Sequence, residues 1–137
     1  MAKLGDFQLT RRFLTANYPL LKEEPLALEI REPAGENPAR VELAVAHERT
    51  WILISVPVCR ESEVNAMAAL RFNATLAVGT LAVDDGLCVM RHTLLMATLT
   101  EEALSEALQR LWKEAARLRA GRRDEAVLQE IFTNLVD

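Results

Sequence analysis

The segment of residues 61–118 reads ESEVNAMAALRFNATLAVGTLAVDDGLCVMRHTLLMATLTEEALSEALQRLWKEAARL and contains three patterns in order. The first predicts a helix, because Glu61 and Glu63 place negative charge at its start and the helical pattern continues to Asn73. The second is a pair of apolar runs around Asp84-Asp85-Gly86, and an Asp-Gly step between strand-like runs favours a tight β-hairpin. The third predicts a long amphipathic helix.

This long helix has a recognisable start and a recognisable apolar face. Residues 98–101 read TLTE, which fits a capping box, where a hydroxyl and a carboxylate satisfy the first N–H groups of a helix. The apolar residues that follow at helical spacing are Leu104, Leu108, Leu111, Ala115 and Leu118. We expect Gly121 to interrupt the helix, since glycine is common just beyond helix ends.

The N-terminal half predicts one helix and three strands. Asp6 can cap a helix over residues 6–17. Three runs with strand patterns follow near residues 26–30, 41–45 and 51–58, and the polar stretch before the third run is typical of a hairpin. The third run is apolar at nearly every position, which predicts a strand covered on both faces by helices of the chain, by a second copy or by an apolar ligand.

Length and element order predict a single α+β domain. The chain has 137 residues, half of them hydrophobic, which is enough for one compact core. The predicted fold is a helix, a three-stranded antiparallel meander, a helix, a β-hairpin and a helix, over residues 1–120. Residues 121–137 are predicted to form an extra C-terminal amphipathic helix that carries Leu128, Phe132 and Leu135 on one face.

Charge and hydropathy disfavour several classes of partner. A net charge of −4 and a pI near 5.3 disfavour a surface that condenses on phosphates, so we expect no nucleic-acid partner. Residues 1–6 meet charge before an apolar run forms, unlike a secretory signal, and no later window approaches membrane-spanning length. The sequence therefore predicts a cytoplasmic protein without a membrane partner.

The residues that could carry chemistry lack the spacing of a known site. Cys59, Cys88, His47 and His92 are nominal zinc ligands, but they fall on separate predicted strands or turns rather than in closely spaced pairs. Because the two cysteines lie outside any Cys-x-x-Cys pattern, we interpret them as small buried side chains. We predict no catalytic residue, no metal and no cofactor. A small enzyme with a spatially assembled Cys/His site is the alternative.

A family resemblance rests on residues 70–94. Residues 70–76 read LRFNATL, followed by Gly79, by LAVDDG at residues 81–86 and by the apolar run 87–94. This segment, with the element order over residues 6–118, resembles the class I type III secretion chaperones and the related YbjN-like proteins. The resemblance implies an α+β sandwich that forms a homodimer and presents apolar patches to an extended client segment, without substrate turnover. A YbjN-like regulatory or assembly protein with the same fold is the alternative.

Two sets of apolar residues are candidate binding sites. We expect the strand of residues 26–30 to lie outermost in the sheet, where a client strand could add. The predicted client-binding residues are Leu26, Leu28 and Ile30 of this strand with Leu9 and Phe13 of the first helix, and the alternative is that they are ordinary core. The homodimer interface that the resemblance implies is assigned to Val64, Met67, Leu70 and Leu76.

Overall fold

The computed structural model describes residues 2–124, with the side chains of residues 2–120. Within these residues the helices are α1 (Phe7–Asn17), α2 (Ala66–Asn73) and α3 (Glu101–Asp124). The strands are β1 (Leu20–Glu24), β2 (Ala27–Arg31), β3 (Pro38–Ala46), β4 (Arg49–Arg60), β5 (Thr80–Asp84) and β6 (Leu87–Leu95). All six strands form one antiparallel sheet in the order β1-β2-β3-β4-β6-β5.

The predicted α+β class and order of elements are confirmed, with one added strand. β1 pairs with β2 from Leu20 opposite Ile30 to Glu24 opposite Ala27. The meander therefore has four strands rather than three, and the expectation that residues 26–30 lie outermost is wrong. The sequence of β1, LLKEE, has no two-residue alternation, because most of its side chains are exposed to solvent.

Each helix begins at a side chain that accepts a backbone N–H. Asp6 Oδ1 accepts from Leu9 at 2.9 Å, and Asn65 Oδ1 accepts from Ala68 at 3.1 Å. Thr100 Oγ1 accepts from Ala103 at 3.1 Å, so α3 begins after Thr100 and not at the capping box predicted from Thr98. Residues 61–63 form a short 3₁₀ turn, which makes α2 shorter at its start than predicted.

The two predicted hairpin turns are both present. In the β5–β6 turn, Asp85 and Gly86 have positive φ angles of 49° and 80°, the combination that a two-residue turn between twisted strands requires. In the β3–β4 turn, His47 and Glu48 have φ angles of 53° and 61°. The predicted hairpins thus fix the antiparallel register of β3 with β4 and of β5 with β6.

The core lies between one face of the sheet and the helices α1 and α3. Ile52, Ile54 and Val56 of β4 are fully buried in it together with Leu14 of α1. The apolar face predicted for α3 is confirmed, because every one of its five residues is fully buried. Leu53 on the alternate side of β4 is also buried, as the continuous apolar run predicts.

The C-terminal part of α3 differs from the prediction. The helix continues through Gly121 to Asp124, so its expected interruption at this glycine is wrong. A helical glycine costs only about 1 kcal/mol relative to alanine, which is too little to end a long helix of good helix formers. Residues 125–137 lie outside the described residues, and the division of the chain at residue 120 stays a prediction. No helix of the described part combines the length and apolar character needed to cross a bilayer.

Candidate functional site

The two outer edges of the sheet are β1 and β5, and they are built differently. Asn73, the last residue of α2, lies beside β5 and pairs with Leu81 in both directions. Its Nδ2 donates to the Leu81 carbonyl at 3.1 Å, and its Oδ1 accepts from the Leu81 N–H at 2.6 Å. A side-chain amide therefore occupies the Leu81 backbone groups, which an added strand would otherwise use on β5.

β1 forms the opposite edge, and no strand among residues 2–124 pairs with its outer side. The end of this strand nearest β2 is held in place by a charged side chain of α1. Arg11 of α1 contacts Glu23 Oε1 at 2.8 Å and donates to the carbonyls of Glu24 and Pro25 at 3.0 and 2.6 Å. These contacts hold the β1–β2 turn against α1. They leave the outer side of β1 without a strand partner among residues 2–124.

A second arginine ties β1 to its neighbours on the face of the sheet away from the core. The Arg40 guanidinium on β3 contacts Glu24 on β1 at 2.9 Å, Glu29 on β2 at 3.5 Å and Glu42 on β3 at 3.2 Å. Hydrogen bonds from Arg40 and Lys22 lower the pKa of Glu24. Because these side chains are 30–39% exposed, water screens the ion pairs, and we infer that they help to set the strand register more than they add stability.

The predicted client-binding residues divide between surface and core. Leu9 and Leu26 are exposed, Leu26 to 58%, and Phe13 is partly buried against the core. Leu28 and Ile30 are wholly buried. Sequence reasoning missed Leu20 and Leu21 of β1, which are exposed to 42% and 53%. The sign of this exposed edge strand in the sequence is the pair Leu20-Leu21 followed directly by three charged residues. Client binding by the predicted five residues stays a prediction.

A groove of about 640 Å³ lies beside the end of α1, the β2–β3 loop and α3. Its aromatic wall consists of Phe13, Tyr18 and Trp112, with ring centroids 6.4 Å apart for Phe13 and Tyr18 and 5.8 Å apart for Tyr18 and Trp112. Trp112 Nε1 donates to the Pro38 carbonyl at 3.2 Å, which fixes its ring. Amphipathic aromatic residues of this kind are enriched in protein interfaces.

The four residues predicted for the homodimer interface lie on or beside α2. Met67 and Leu70 are exposed to 62% and 61%, whereas Val64 and Leu76 are partly buried. Val64 and Leu70 line a largely apolar pocket of about 400 Å³ with residues of β5 and with Cys88. Adjacent exposed apolar side chains next to such a pocket are typical of an interaction surface. Their part in self-association stays a prediction.

The structure separates the residues of the alternative Cys/His site. His47 lies in the turn before β4, and Cys59 lies at the far end of that strand. His92 Nδ1 accepts the Gly79 N–H at 3.1 Å, and burial lowers the pKa of His92. Among residues 2–124 no group of three or more His, Cys, Asp or Glu side chains is arranged to hold a metal ion.

The chain matches a known family and several solved structures. The profile of the Tir chaperone protein (CesT) family matches residues 37–119, whereas no curated protein sequence matches significantly. A chain in the "Crystal Structure of the ExsC-ExsE Complex" is 17% identical with a TM-score of 0.61, covering 88% of this chain and 96% of that one. A chain in the "Structure of the HopA1-SchA Chaperone-Effector Complex" is 14% identical with a TM-score of 0.57, covering 80% and 88%.

These two structures share the fold of this chain, and the resemblance to type III secretion chaperones is confirmed. The family profile covers more than half of the sequence. The chain therefore belongs to the Tir chaperone protein (CesT) family.

Proposed function

We propose that this protein is a non-catalytic chaperone that binds an extended segment of a client protein along the outer edge of β1. The observation that carries the proposal is the difference between the two sheet edges. Asn73 occupies the backbone groups of Leu81 on β5, whereas the outer side of β1 has no strand partner among the described residues. Membership of a chaperone family and similarity to a chain from a solved chaperone–effector complex support it.

The physical mechanism is strand addition. Backbone hydrogen bonds along an edge strand provide affinity, and pockets for alternate side chains provide specificity. Leu20 and Leu21 present apolar surface on β1 itself, and Leu9 adds exposed apolar surface on α1. We therefore expect a client segment with alternating apolar residues. The aromatic groove of Phe13, Tyr18 and Trp112 is a candidate site for a further part of the same client.

The proposal includes a homodimer formed through α2. Met67 and Leu70 present adjacent exposed apolar side chains on one short helix. Burying them against a second copy would remove this surface from water, and symmetric dimers are the commonest soluble oligomers. Because α2 lies beside β5, a dimer formed there leaves the outer side of β1 accessible to the client. The proposal also includes a cytoplasmic location, which family membership supports.

The test compares two exposed apolar residues on different parts of the sheet. Leu21→Glu places a carboxylate on β1, where the client is proposed to bind. Val45→Glu is the matched control, because Val45 is 76% exposed near the β3–β4 turn. The wild-type protein and both variants serve as baits in lysate of the source cells, and captured proteins are identified by mass spectrometry.

We expect one protein to be enriched by the wild type and by Val45→Glu, and to be reduced about tenfold or more by Leu21→Glu. Hydrogen exchange of the purified complex should then show new protection of the amides in residues 20–24. Equal capture by both variants, or protection confined to another part of the sheet, contradicts strand addition at β1.

A further inference from the structure

Cys59 and Cys88 are far apart in the sequence but adjacent in the fold. Cys59 lies near the end of β4, and its direct partner across the antiparallel ladder is Cys88 at the start of β6. The Cys59 side chain is close enough to raise the pKa of Cys88. Directly opposed residues in antiparallel strands have Cα atoms about 4.5–5.5 Å apart, within the range of about 4.4–6.8 Å that disulfides span.

A β-bulge is the reason that these two residues face each other. Pro57 is opposite Val89 and Cys59 is opposite Cys88, so Val58 is the extra residue in β4. In a regular ladder Val58 would oppose Cys88, and Cys59 would point to the other face of the sheet. Proline has no N–H to donate to the ladder, which favours the irregularity at this position. The bulge thus turns both sulfur atoms to the same face.

The two thiols differ in their access to solvent. Cys88 is only 2% exposed and is packed in the core, whereas Cys59 is partly exposed at the edge of the core. A small molecule from solution therefore reaches Cys59 first. The Cys59 side chain and burial together raise the pKa of Cys88, so Cys88 reacts as a thiol that loses its proton only as the S–S bond forms. This arrangement provides one accessible thiol and one adjacent resolving thiol.

We propose that Cys59 and Cys88 form a reversible oxidation site, at which hydrogen peroxide converts the two thiols into an intramolecular cross-strand disulfide. The Cys59 thiolate attacks one peroxide oxygen, which breaks the O–O bond, releases hydroxide and leaves Cys59 as a sulfenic acid. The Cys88 sulfur then attacks the Cys59 sulfur. The S–S bond forms as the Cys88 proton and the sulfenic hydroxyl leave together as water. The two thiols lose two electrons, and peroxide gains them.

The disulfide would close a covalent loop over residues 59–88. This loop contains α2 and β5, and Cys88 lines the apolar pocket beside Leu70 and Val83. Cross-linking the two ends of a loop restricts the unfolded chain and stabilises the folded one. Oxidation should therefore stabilise the segment that carries Met67 and Leu70. An effect of oxidation on self-association is expected only if the proposed homodimer forms. Formation of the disulfide does not depend on the homodimer.

The test treats the reduced full-length protein with hydrogen peroxide, blocks remaining thiols with iodoacetamide and maps the peptides by mass spectrometry without reduction. We expect a peptide linking Cys59 to Cys88, a mass lower by two hydrogen atoms than that of the untreated protein, and complete reversal by dithiothreitol. The melting temperature should rise by roughly 5–15 °C on oxidation. Cys59→Ala and Cys88→Ala should both abolish this rise.

The two single variants also separate the roles of the two thiols. In Cys88→Ala, Cys59 should be trapped as a sulfenic acid by dimedone, whereas Cys88 in Cys59→Ala should react at least about tenfold more slowly, because it is buried. Disulfides only between chains, or oxidation of Cys59 without a linked peptide in the wild type, would overturn the proposal. The wild-type peptide map tests formation of the Cys59–Cys88 disulfide even if a variant does not fold. Its result does not depend on client binding.

Discussion

The edge strands β1 and β5 are each five residues long, but the molecule treats them in opposite ways. At β5 the last residue of α2 places its amide against the backbone and pairs with Leu81 as another strand would. At β1 the side-chain contacts come from Arg11 of α1 and from Arg40 on the face of the sheet away from the core. One side chain can therefore block part of a sheet edge, and two edges of equal length can differ in the backbone groups that they leave available.

The largest expected effect comes from Gly79, which lies between α2 and β5. Its φ angle is 80°, and a Cβ atom there would lie 2.6 Å from Leu111 Cδ2. Gly79→Ala should lower the free energy of unfolding by about 3 kcal/mol, because it adds backbone strain and overpacks the core. Urea denaturation measures this free energy.

Gly86→Ala is the matched control, since Gly86 also has a φ of 80° but a Cβ there would meet no atom within 4 Å. This variant should lose about 1 kcal/mol of the free energy of unfolding. Equal losses in both variants would contradict the steric argument.

Met67→Glu tests whether self-association depends on the α2 surface beside β5 and not on the β1 edge. A carboxylate in a desolvated interface should weaken self-association about a hundredfold, while the exposed position of Met67 leaves the fold intact. Sedimentation at roughly 50 μM should show a dimer for the wild type and for Val45→Glu, and a monomer for Met67→Glu. A monomeric wild type at this concentration contradicts the homodimer but not the closed edge at β5.

Asn73→Ala should open the closed edge. It removes two hydrogen bonds to Leu81 and should lower the free energy of unfolding by about 2 kcal/mol. The Leu81 amide should also exchange with solvent faster than in the wild type. Asn17→Ala is the control, because Asn17 donates one exposed hydrogen bond to the Phe13 carbonyl. If both variants lose equal stability and Leu81 exchange is unchanged, Asn73 does not close this edge.

The smallest expected effect is a pH dependence from His92 near β5. Burial lowers its pKa below 6.5, and its neutral Nδ1 accepts the Gly79 N–H. The unfolded chain therefore binds the proton more tightly, so this contribution is present above about pH 6.5 and is lost as the pH falls through the folded pKa. The melting temperature at pH 5 should fall by about 1–2 °C more in the wild type than in His92→Gln. Identical pH profiles would exclude His92 as the cause.

Local sequence patterns predicted the structure correctly where buried residues recur at a regular spacing or a turn needs particular residues. The five apolar residues of α3 and the Asp85-Gly86 turn are where their spacing and turn chemistry predict. β1 was missed because a strand exposed on most of its surface has no alternation to detect. Helix boundaries also moved, since Thr98 and Thr100 are both plausible caps in sequence and only the fold selects Thr100.

The candidate site was predicted less well than the fold, because its residues meet across distant parts of the chain. Leu26 and Leu28 belong to the same alternating run in the sequence, but only Leu26 is exposed. Asn73 matched the family pattern without indicating that its amide would close β5. The aromatic groove joins Phe13 and Tyr18 to Trp112 of α3, a contact that no local spacing indicates.

The sequence alone determined the α+β class, the order of the elements and the two tight hairpins, because these depend on periodicity and on backbone angles over a few residues. The tertiary structure decided which edge is closed, which apolar residues remain exposed and that a bulge at Val58 sets Cys59 opposite Cys88. These features depend on which distant segments become neighbours. That is a property of the assembled sheet, and a shift of one residue in its register reverses the face of every side chain that follows.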